Sequence, residues 1–232
     1  MKLLKPGDLC PCCGSPLPEG LPTKTMMLLS WLAEGKTLRQ AANDFGGNKM
    51  EKETRKVLAE IPREECFSIG GQEFVVLKQG GAGTAAILKD LLPGRHRFGT
   101  NNNYAGSNVD RICCEFADEL EKAAGEEVLL EHEVDLTSDD GLKDYGSVCR
   151  KASLLTCDQY REYVEVLDLH KPDRWWWLAT PWSTPKHDDD WVCKCVAPSG
   201  SIVIVNCYNV IGVRPFCIFK SDIFVSCGEE DV

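Results

Sequence analysis

The sequence predicts an α+β fold that carries a small helical unit at its N-terminus. Three observations indicate this class. Residues 22–60 have the pattern of helices, residues 66–77 are typical of a β-hairpin, and the last third of the chain alternates like strands joined by turns. The chain is 43% hydrophobic over 232 residues, which is ample for a core. We therefore predict a Cys-rich and helical unit over residues 1–62 and an α+β domain over residues 63–232.

The N-terminal unit begins with an irregular segment, residues 1–20, that is rich in Pro, Gly and Cys. Three helices are predicted after it. The first, TKTMMLLSWLAEG, begins at a capping Thr and ends at Gly35. The second, KTLRQAANDFGG, has apolar residues at helical spacing, and the third, NKMEKETRKVLAEIP, is highly charged and stops at Pro62.

The middle of the chain mixes strands and one long helix. The segment CFSIGGQEFVVL predicts a hairpin with a Gly-Gly turn, whereas GAGTAAILKDLL fits either a strand or a helix. The segment GTNNNYAGS predicts a polar loop. The segment NVDRICCEFADELEKAAG predicts an amphipathic helix, because its apolar residues fall on one face: Val109, Ile112, Cys113, Phe116 and Leu120.

The C-terminal half begins with EEVLLEHEVDL, which indicates a short strand or a turn. The next segment, SLLTCDQYREYVEVL, predicts a strand that runs into a helix capped at Thr156. The remainder is β in character, and APSGS predicts a turn between two alternating strands.

Composition excludes some classes of function. The formal net charge of −10 disfavours general binding to nucleic acid. No apolar run reaches the roughly 20 residues that a membrane span needs, and Pro6, Gly7 and Asp8 interrupt any signal peptide. We expect a cytoplasmic or virion-associated protein, and we expect most of its 13 cysteines to be reduced, buried thiols.

Four features occur in order along the chain: the consecutive Trp175–Trp177, then Pro181, Gly200 and the sequence GVRP at residues 212–215. Together they resemble an uncharacterised bacterial and phage domain family that reads W-W-L-R-(S/T)-P, a hairpin with a Gly turn, and G-V-R-P. The resemblance covers residues 66–226. That family is similar to the C-type-lectin fold of formylglycine-generating enzymes and of the hypervariable proteins of diversity-generating retroelements. The resemblance implies a C-type-lectin-like domain.

Such a fold has much irregular backbone, which large side chains must fill. Because side chains alternate along a strand, we expect Trp175 and Trp177 to share one buried face and Trp176 to take the other. We assign Trp175 and Trp177 a structural role. Arg214 also receives a structural role, since the matching arginine of the related fold supports loops through backbone carbonyls or an acid.

The resemblance places ligand binding on the exposed face of the C-terminal sheet and on its loops. Along WVCKCV and SIVIVNCYN, alternation separates small Cys and Val from polar and aromatic residues. We predict that the ligand-binding residues are Trp191, Lys194, Asn206, Tyr208 and Asn209, with Tyr208 as the anchor. Asn206 and Asn209 also fit a second interpretation, in which Asn merely tolerates turn backbone.

The sequence gives less support to the hypothesis that the protein is an enzyme. Cys193 and Cys195 would share a face of a strand and fit a metal pair, but packing as small core residues is the commoner use. The acidic run after His187, residues 188–190, would attract calcium but is also typical of a solvated loop. No Ser/His/Asp or Cys/His arrangement is evident, so we predict no catalysis.

The N-terminal unit carries one metal-binding pattern and one DNA-binding pattern. The segment CPCCG forms half of a zinc knuckle, in which Cys10 and Cys13 would hold the metal, but the second C-x-x-C of a closed site is missing. A helix-turn-helix over residues 22–62 is the alternative function, a DNA-binding regulator with a ligand-sensing domain. The main prediction is a non-catalytic phage or prophage protein that binds a protein or glycan ligand, with its N-terminal unit docked on an assembly partner.

Overall fold

The structure is a computed structural model, and it describes residues 54–81, 83–125 and 127–227. These residues belong to one unit, Lys52–Val232. Their strands, in chain order, are β1 Thr54–Val57, β2 Cys66–Ile69, β3 Gln72–Gln79, β4 Thr84–Leu88, β5 His96–Arg97, β6 Leu129–Leu130, β7 His132–Asp135, β8 Ser147–Arg150, β9 Ala152–Ser153, β10 Trp176–Pro181, β11 Val192–Val196, β12 Ile202–Asn206, β13 Val210–Ile211, β14 Phe216–Phe219 and β15 Phe224–Cys227. The helices are α1 Asn108–Ala124, α2 Cys157–Glu162 and α3 Val164–Leu169. The chain is thus α+β, as its sequence predicts, with more sheet than helix.

An antiparallel sheet of eight strands forms the scaffold. Seven strands lie in the order β1-β15-β2-β3-β4-β14-β6, and β9 pairs with β14 beside β6. The predicted hairpin is β2 and β3, joined by Gly70 and Gly71. Both glycines have positive φ, +58° and +76°, a backbone region that favours Gly.

Both faces of this sheet are buried at its centre, along β3 and β4. Along β3, Phe74 and Val76 pack into a cluster with α1, while Val75 and Leu77 pack into a second cluster with α2 and α3. A strand covered on both faces reads as a continuous apolar run and not as an alternating one. This explains the sequence FVVL.

Helix α1 lies against one face of the sheet, as its periodicity predicts. Ser107 caps it by accepting a hydrogen bond from the Asp110 backbone N–H at 3.1 Å. Its apolar residues Phe116, Ala117 and Leu120 enter the first cluster. No helix among the described residues is long and apolar enough to cross a membrane.

Helix α2 begins at Thr156, as predicted, with a full capping box. The Thr156 hydroxyl accepts from the Gln159 N–H, and the Gln159 side chain accepts from the Thr156 N–H. Helices α2 and α3 then cover the second face of the sheet with Tyr160, Tyr163 and Val166.

A second antiparallel sheet, β10-β11-β12, carries the tryptophans. Trp176 (2% exposed) packs into the second cluster and Trp177 (0%) into a third, so both faces of β10 are buried. The structural role predicted for Trp177 agrees with this burial, whereas the burial predicted for Trp175 is wrong. Trp175 is 39% exposed because it lies immediately before β10, where its backbone takes part in the packing and its ring does not.

The two ends of the family-like pattern contact each other. Gly212 donates its N–H to the Trp175 carbonyl at 2.8 Å, and Trp177 donates to the Gly212 carbonyl at 3.1 Å. The Arg214 guanidinium lies over the Trp176 ring, 5.5 Å from its centroid. Tryptophans and GVRP therefore form one packing unit.

Residues 54–61 differ from the sequence prediction. We predicted that they end a charged helix of the N-terminal unit, but residues 54–57 form β1, which pairs with β15. This helix prediction is wrong there because long-range pairing overrides local propensity. Arg55 and Lys56, which belong to the predicted third helix and so to the helix-turn-helix predicted over residues 22–62, lie on this strand. Residues 22–53 of that motif lie outside the described residues.

Candidate ligand-binding cavity

A cavity of about 650 Å³ opens beside Tyr208, and we call it the Tyr208 cavity. Three chain segments build its wall: the strand β5 region, the loop that leads into α1, and the segment from Tyr208 to β13. Its lining residues are Arg95, His96, Arg97, Gly99, Thr100, Asn101, Asn103, Ala105, Gly106, Ser107, Asn108, Tyr208 and Val210. A concave site of this size with convergent polar groups suits a small molecule or one unit of a larger ligand.

Strand β5 supplies the positively charged side of the cavity. It pairs with β13, with Arg97 opposite Val210. The His96 carbonyl accepts from the Trp177 indole N–H at 2.8 Å, which ties β5 to the third hydrophobic cluster. Arg95 and Arg97 are exposed on either side of His96. Because the backbone between them is anchored, both arginine side chains extend from a backbone that is held in place.

The loop at residues 99–107 forms the opposite wall, and Asn102 holds it in place. Asn102 is fully buried. Its amide donates to the backbone carbonyls of Ser183 at 3.0 Å and Val192 at 2.9 Å, and it accepts from the Tyr145 hydroxyl at 2.8 Å. The flanking residues Asn101 and Asn103 line the cavity. The predicted polar loop is therefore an ordered wall.

Tyr208 is held in place although it is 52% exposed. Its hydroxyl donates to the Thr100 carbonyl at 3.1 Å, and its backbone N–H donates to Asn206 Oδ1 at 2.9 Å. An aromatic ring fixed before binding loses little entropy when a ligand contacts it. This is the residue that the sequence singled out as an anchor.

The other predicted binding residues do not line the cavity. Trp191 is 51% exposed and its carbonyl accepts from Cys207. Asn206 is half-buried and shapes the turn through its side chain, while its carbonyl accepts from the Asn209 N–H at 2.9 Å. These contacts match the interpretation of Asn206 and Asn209 as turn residues.

The structure corrects the prediction that Lys194 lies on an exposed binding face. It is 7% exposed, its ammonium pairs with Asp139 at 2.8 Å, and it lies 4.5 Å from the centre of the Trp182 ring. Strand β11 is the middle strand of its sheet, and Asp139 and Trp182 cover the Lys194 side chain. The position is a buried ion pair and not an exposed contact.

Arg214 makes the kind of contact that the sequence predicts. It is fully buried and donates to the carbonyls of Leu88 at 2.8 Å and of Lys89 and His170 at 2.9 Å. Burial lowers the pKa of its guanidinium to about 10, so the group remains charged at neutral pH. Its planar fork connects three chain segments.

A Ser/His/Asp cluster, which the sequence did not reveal, lies outside the lining of the cavity. Ser183 Oγ donates to Asp140 Oδ2 at 2.6 Å, and His187 Nδ1 lies 2.9 Å from the same oxygen. Hydrogen bonds, first that of Ser138, hold the pKa of Asp140 below its usual range. In a nucleophilic triad, serine and acid meet different ring nitrogens of the histidine. Here Ser183 and Asp140 both face Nδ1, so the cluster fastens one loop to another.

The metal-binding patterns divide between described and undescribed residues. Among residues 54–81, 83–125 and 127–227, no group of three His, Cys, Asp or Glu side chains could hold a metal ion. Cys193 and Cys195 are both fully buried in the third hydrophobic cluster, where they pack as small core residues. The zinc prediction for Cys10 and Cys13 lies outside the described residues.

Comparisons with known proteins give no match. No family model matches the sequence, and searches of curated proteins and of solved structures find none. The function must therefore be argued from the cavity itself.

Proposed function

We propose that this protein is a non-catalytic binding protein that holds a protein or glycan ligand in the Tyr208 cavity. One observation carries the proposal: an exposed aromatic ring, whose hydroxyl donates to the Thr100 carbonyl and whose backbone N–H donates to Asn206, lies at the edge of a cavity lined with Asn side chains and backbone. Aromatic rings and amides are the groups that adaptable binding surfaces use. This keeps Tyr208 as the anchor and moves the site from the sheet face to the loops beside it.

We also propose that the domain has a C-type-lectin-like fold and that the protein belongs to a phage or prophage. Its support is the small sheet β10-β12, the helices α1 and α2, and the long loops between them, together with the order of the Trp and GVRP segments. The cytoplasmic or virion-associated location and the docking of the N-terminal unit on an assembly partner belong to the same proposal.

The first test replaces the anchor. Tyr208→Ala should lower ligand affinity by about 2 kcal/mol, since truncating a central aromatic commonly costs that much. Because Tyr208 is exposed, the melting temperature should stay close to that of the wild type. Wild type and variant would be compared on glycan and bacterial-surface arrays, and hits would be mapped by amide chemical shifts.

The matched control is Phe224→Ala, which removes an aromatic side chain that is 62% exposed on β15, outside the cavity lining. It should bind as the wild type does. Ligands that bind equally to wild type and Tyr208→Ala, or that shift only residues outside the cavity, would place the site elsewhere. A broad panel with no ligand that shifts a cavity resonance would count against the proposal.

A further inference from the structure

We propose that the ligand of the Tyr208 cavity is an acidic saccharide, whose carboxylate, sulfate or phosphate group meets the guanidinium groups of Arg95 and Arg97. This inference rests on the proposed function and adds the chemical class of the ligand. It is carried by the two arginine side chains that have no partner among the described residues, by the hydrogen-bond donors in the opposite wall, and by the kinds of residue that line the cavity.

Arg95 and Arg97 differ from most arginines of the described chain in having no partner there. Six of the nine are held by a carboxylate or by backbone carbonyls: Arg63, Arg111, Arg150, Arg161, Arg174 and Arg214. Among the described residues, no hydrogen bond or ion pair reaches the guanidinium groups of Arg55, Arg95 and Arg97. Two of these three arginines line the Tyr208 cavity. In a chain of net charge −10, such unpaired cations in a concave site favour an anion.

The opposite wall adds hydrogen-bond donors. The side-chain oxygens of Asn101 and Asn103 accept from backbone N–H groups two residues further on, at 3.2 and 3.1 Å. This use of the oxygens leaves the amide NH₂ groups as donors. The Asn108 amide donates to the Arg97 carbonyl at 2.9 Å and so fixes the backbone beside that arginine.

No Asp or Glu side chain occurs among the residues that line the cavity. The Asp110 carboxylate accepts from the Gly106 N–H at 2.8 Å, but Arg150 holds both of its oxygens at 2.7 Å. Its charge is therefore balanced by a paired arginine. The cavity offers guanidinium groups for an anion, amides for hydroxyl groups, and the Tyr208 ring for the flat face of a sugar. An acidic saccharide combines these three features.

The test is a titration of the full-length, ¹⁵N-labelled protein at low ionic strength, followed by amide chemical shifts. Sodium D-glucuronate is the charged probe, and D-glucose is its uncharged counterpart. Glucuronate should shift Thr100, Gly106 and Tyr208 in a saturable manner, at concentrations about tenfold below those that glucose needs. Inorganic phosphate and sulfate, titrated separately, show which anionic group the arginines prefer.

Variants decide whether the arginines bind the charge. The double variant Arg95→Gln/Arg97→Gln should bind glucuronate at least about tenfold more weakly than the wild type. Its amide spectrum should remain that of a folded protein. The control Arg55→Gln removes the third arginine that has no partner among the described residues, and this arginine lies outside the cavity lining. It should leave glucuronate binding unchanged. Equal affinity for glucose and glucuronate, or an equal effect of Arg55→Gln, would overturn the acidic class and leave the proposed function standing. If none of the saccharides shifts a cavity resonance, the acidic-saccharide proposal falls, whereas the proposed function falls only if the arrays also give no ligand that shifts a cavity resonance.

Discussion

His132 shows at a single residue what burial does to an ionisable group. Its ring is 8% exposed and meets Phe216 edge-on, with 5.1 Å between ring centroids. His132 Nε2 lies 2.8 Å from the Ser153 hydroxyl oxygen, and that hydroxyl also lies 3.0 Å from the Leu154 carbonyl oxygen. Nδ1 is buried and has no hydrogen-bond partner among the described residues. Burial lowers the pKa of His132 to about 4, against a smaller opposing effect of the Leu130 backbone.

This residue predicts that the fold loses stability in mild acid. Between pH 6.5 and pH 4 the unfolded chain binds a proton at this histidine and the folded chain does not, so stability falls as the pH falls. The loss from this group should reach about 3 kcal/mol. Urea unfolding at pH 7 and at pH 4 measures it.

The decisive comparison is with His132→Gln, which cannot titrate. Carboxylates such as Asp140, whose pKa is lowered by hydrogen bonds, also lose stability in acid, so the difference between wild type and variant is the readout. His132→Gln should show a smaller loss between the two pH values, and His96→Gln, near the surface, should behave as wild type. An unchanged acid loss in His132→Gln would assign the effect to other groups.

At the scale of elements, strand β10 depends on a close approach by the segment before Arg214. Gly212 bonds to Trp175 and Trp177, and a Cβ at Gly212 would lie 2.4 Å from Leu91 Cδ1 and 3.0 Å from the Trp175 carbonyl oxygen. No side chain fits there without movement. This is why a glycine precedes Val213 and Arg214.

We therefore expect Gly212→Ala to lower the free energy of unfolding by about 2 to 3 kcal/mol, as overpacking does in tight cores. Gly81→Ala is the control, because a Cβ at Gly81 meets nothing within 4 Å. It should stay within about 0.5 kcal/mol of the wild type. Chemical denaturation measures both. Equal stabilities would mean that Leu91 moves aside at no cost.

Elements with local signals were predicted from the sequence, and those set by distant partners were not. The Gly70-Gly71 hairpin, the cap at Thr156 and the amphipathic face of α1 depend on residues close in sequence, and the structure confirms them. Strand β1 depends on β15 at the other end of the described chain, so local pattern suggested a helix. Alternation along β11 predicted a buried face with Cys193 and Cys195 and an exposed face with Lys194, but both faces of β11 are buried and the exposed face was wrong. The local pattern could not show that Asp139 and Trp182 cover Lys194.

For the whole molecule, the candidate site was predicted only in part. Tyr208 was chosen from its chemistry, whereas Arg95 and Arg97 were missed because the cavity joins segments about 100 residues apart. The sequence contained two signals: an Arg-His-Arg triplet in an acidic chain, and three consecutive asparagines, of which Asn102 is the anchor. Neither signal shows from sequence alone which distant segment faces it.

The packing of the whole molecule also predicts which thiols react. Ten described cysteines are free; Cys149 is exposed, whereas Cys193, Cys195 and Cys217 are fully buried. Burial raises the pKa of Cys195 to about 12, so little reactive thiolate forms there at neutral pH. In the native protein, N-ethylmaleimide should label Cys149 at least about a thousandfold faster than these three, because their labelling requires unfolding. Peptide mass spectrometry after timed labelling, with and without urea, measures this ratio. Cys149→Ser should remove the fast label from that peptide; fast labelling of Cys195, or a disulfide at any of the three buried thiols, would contradict the packing of both sheets.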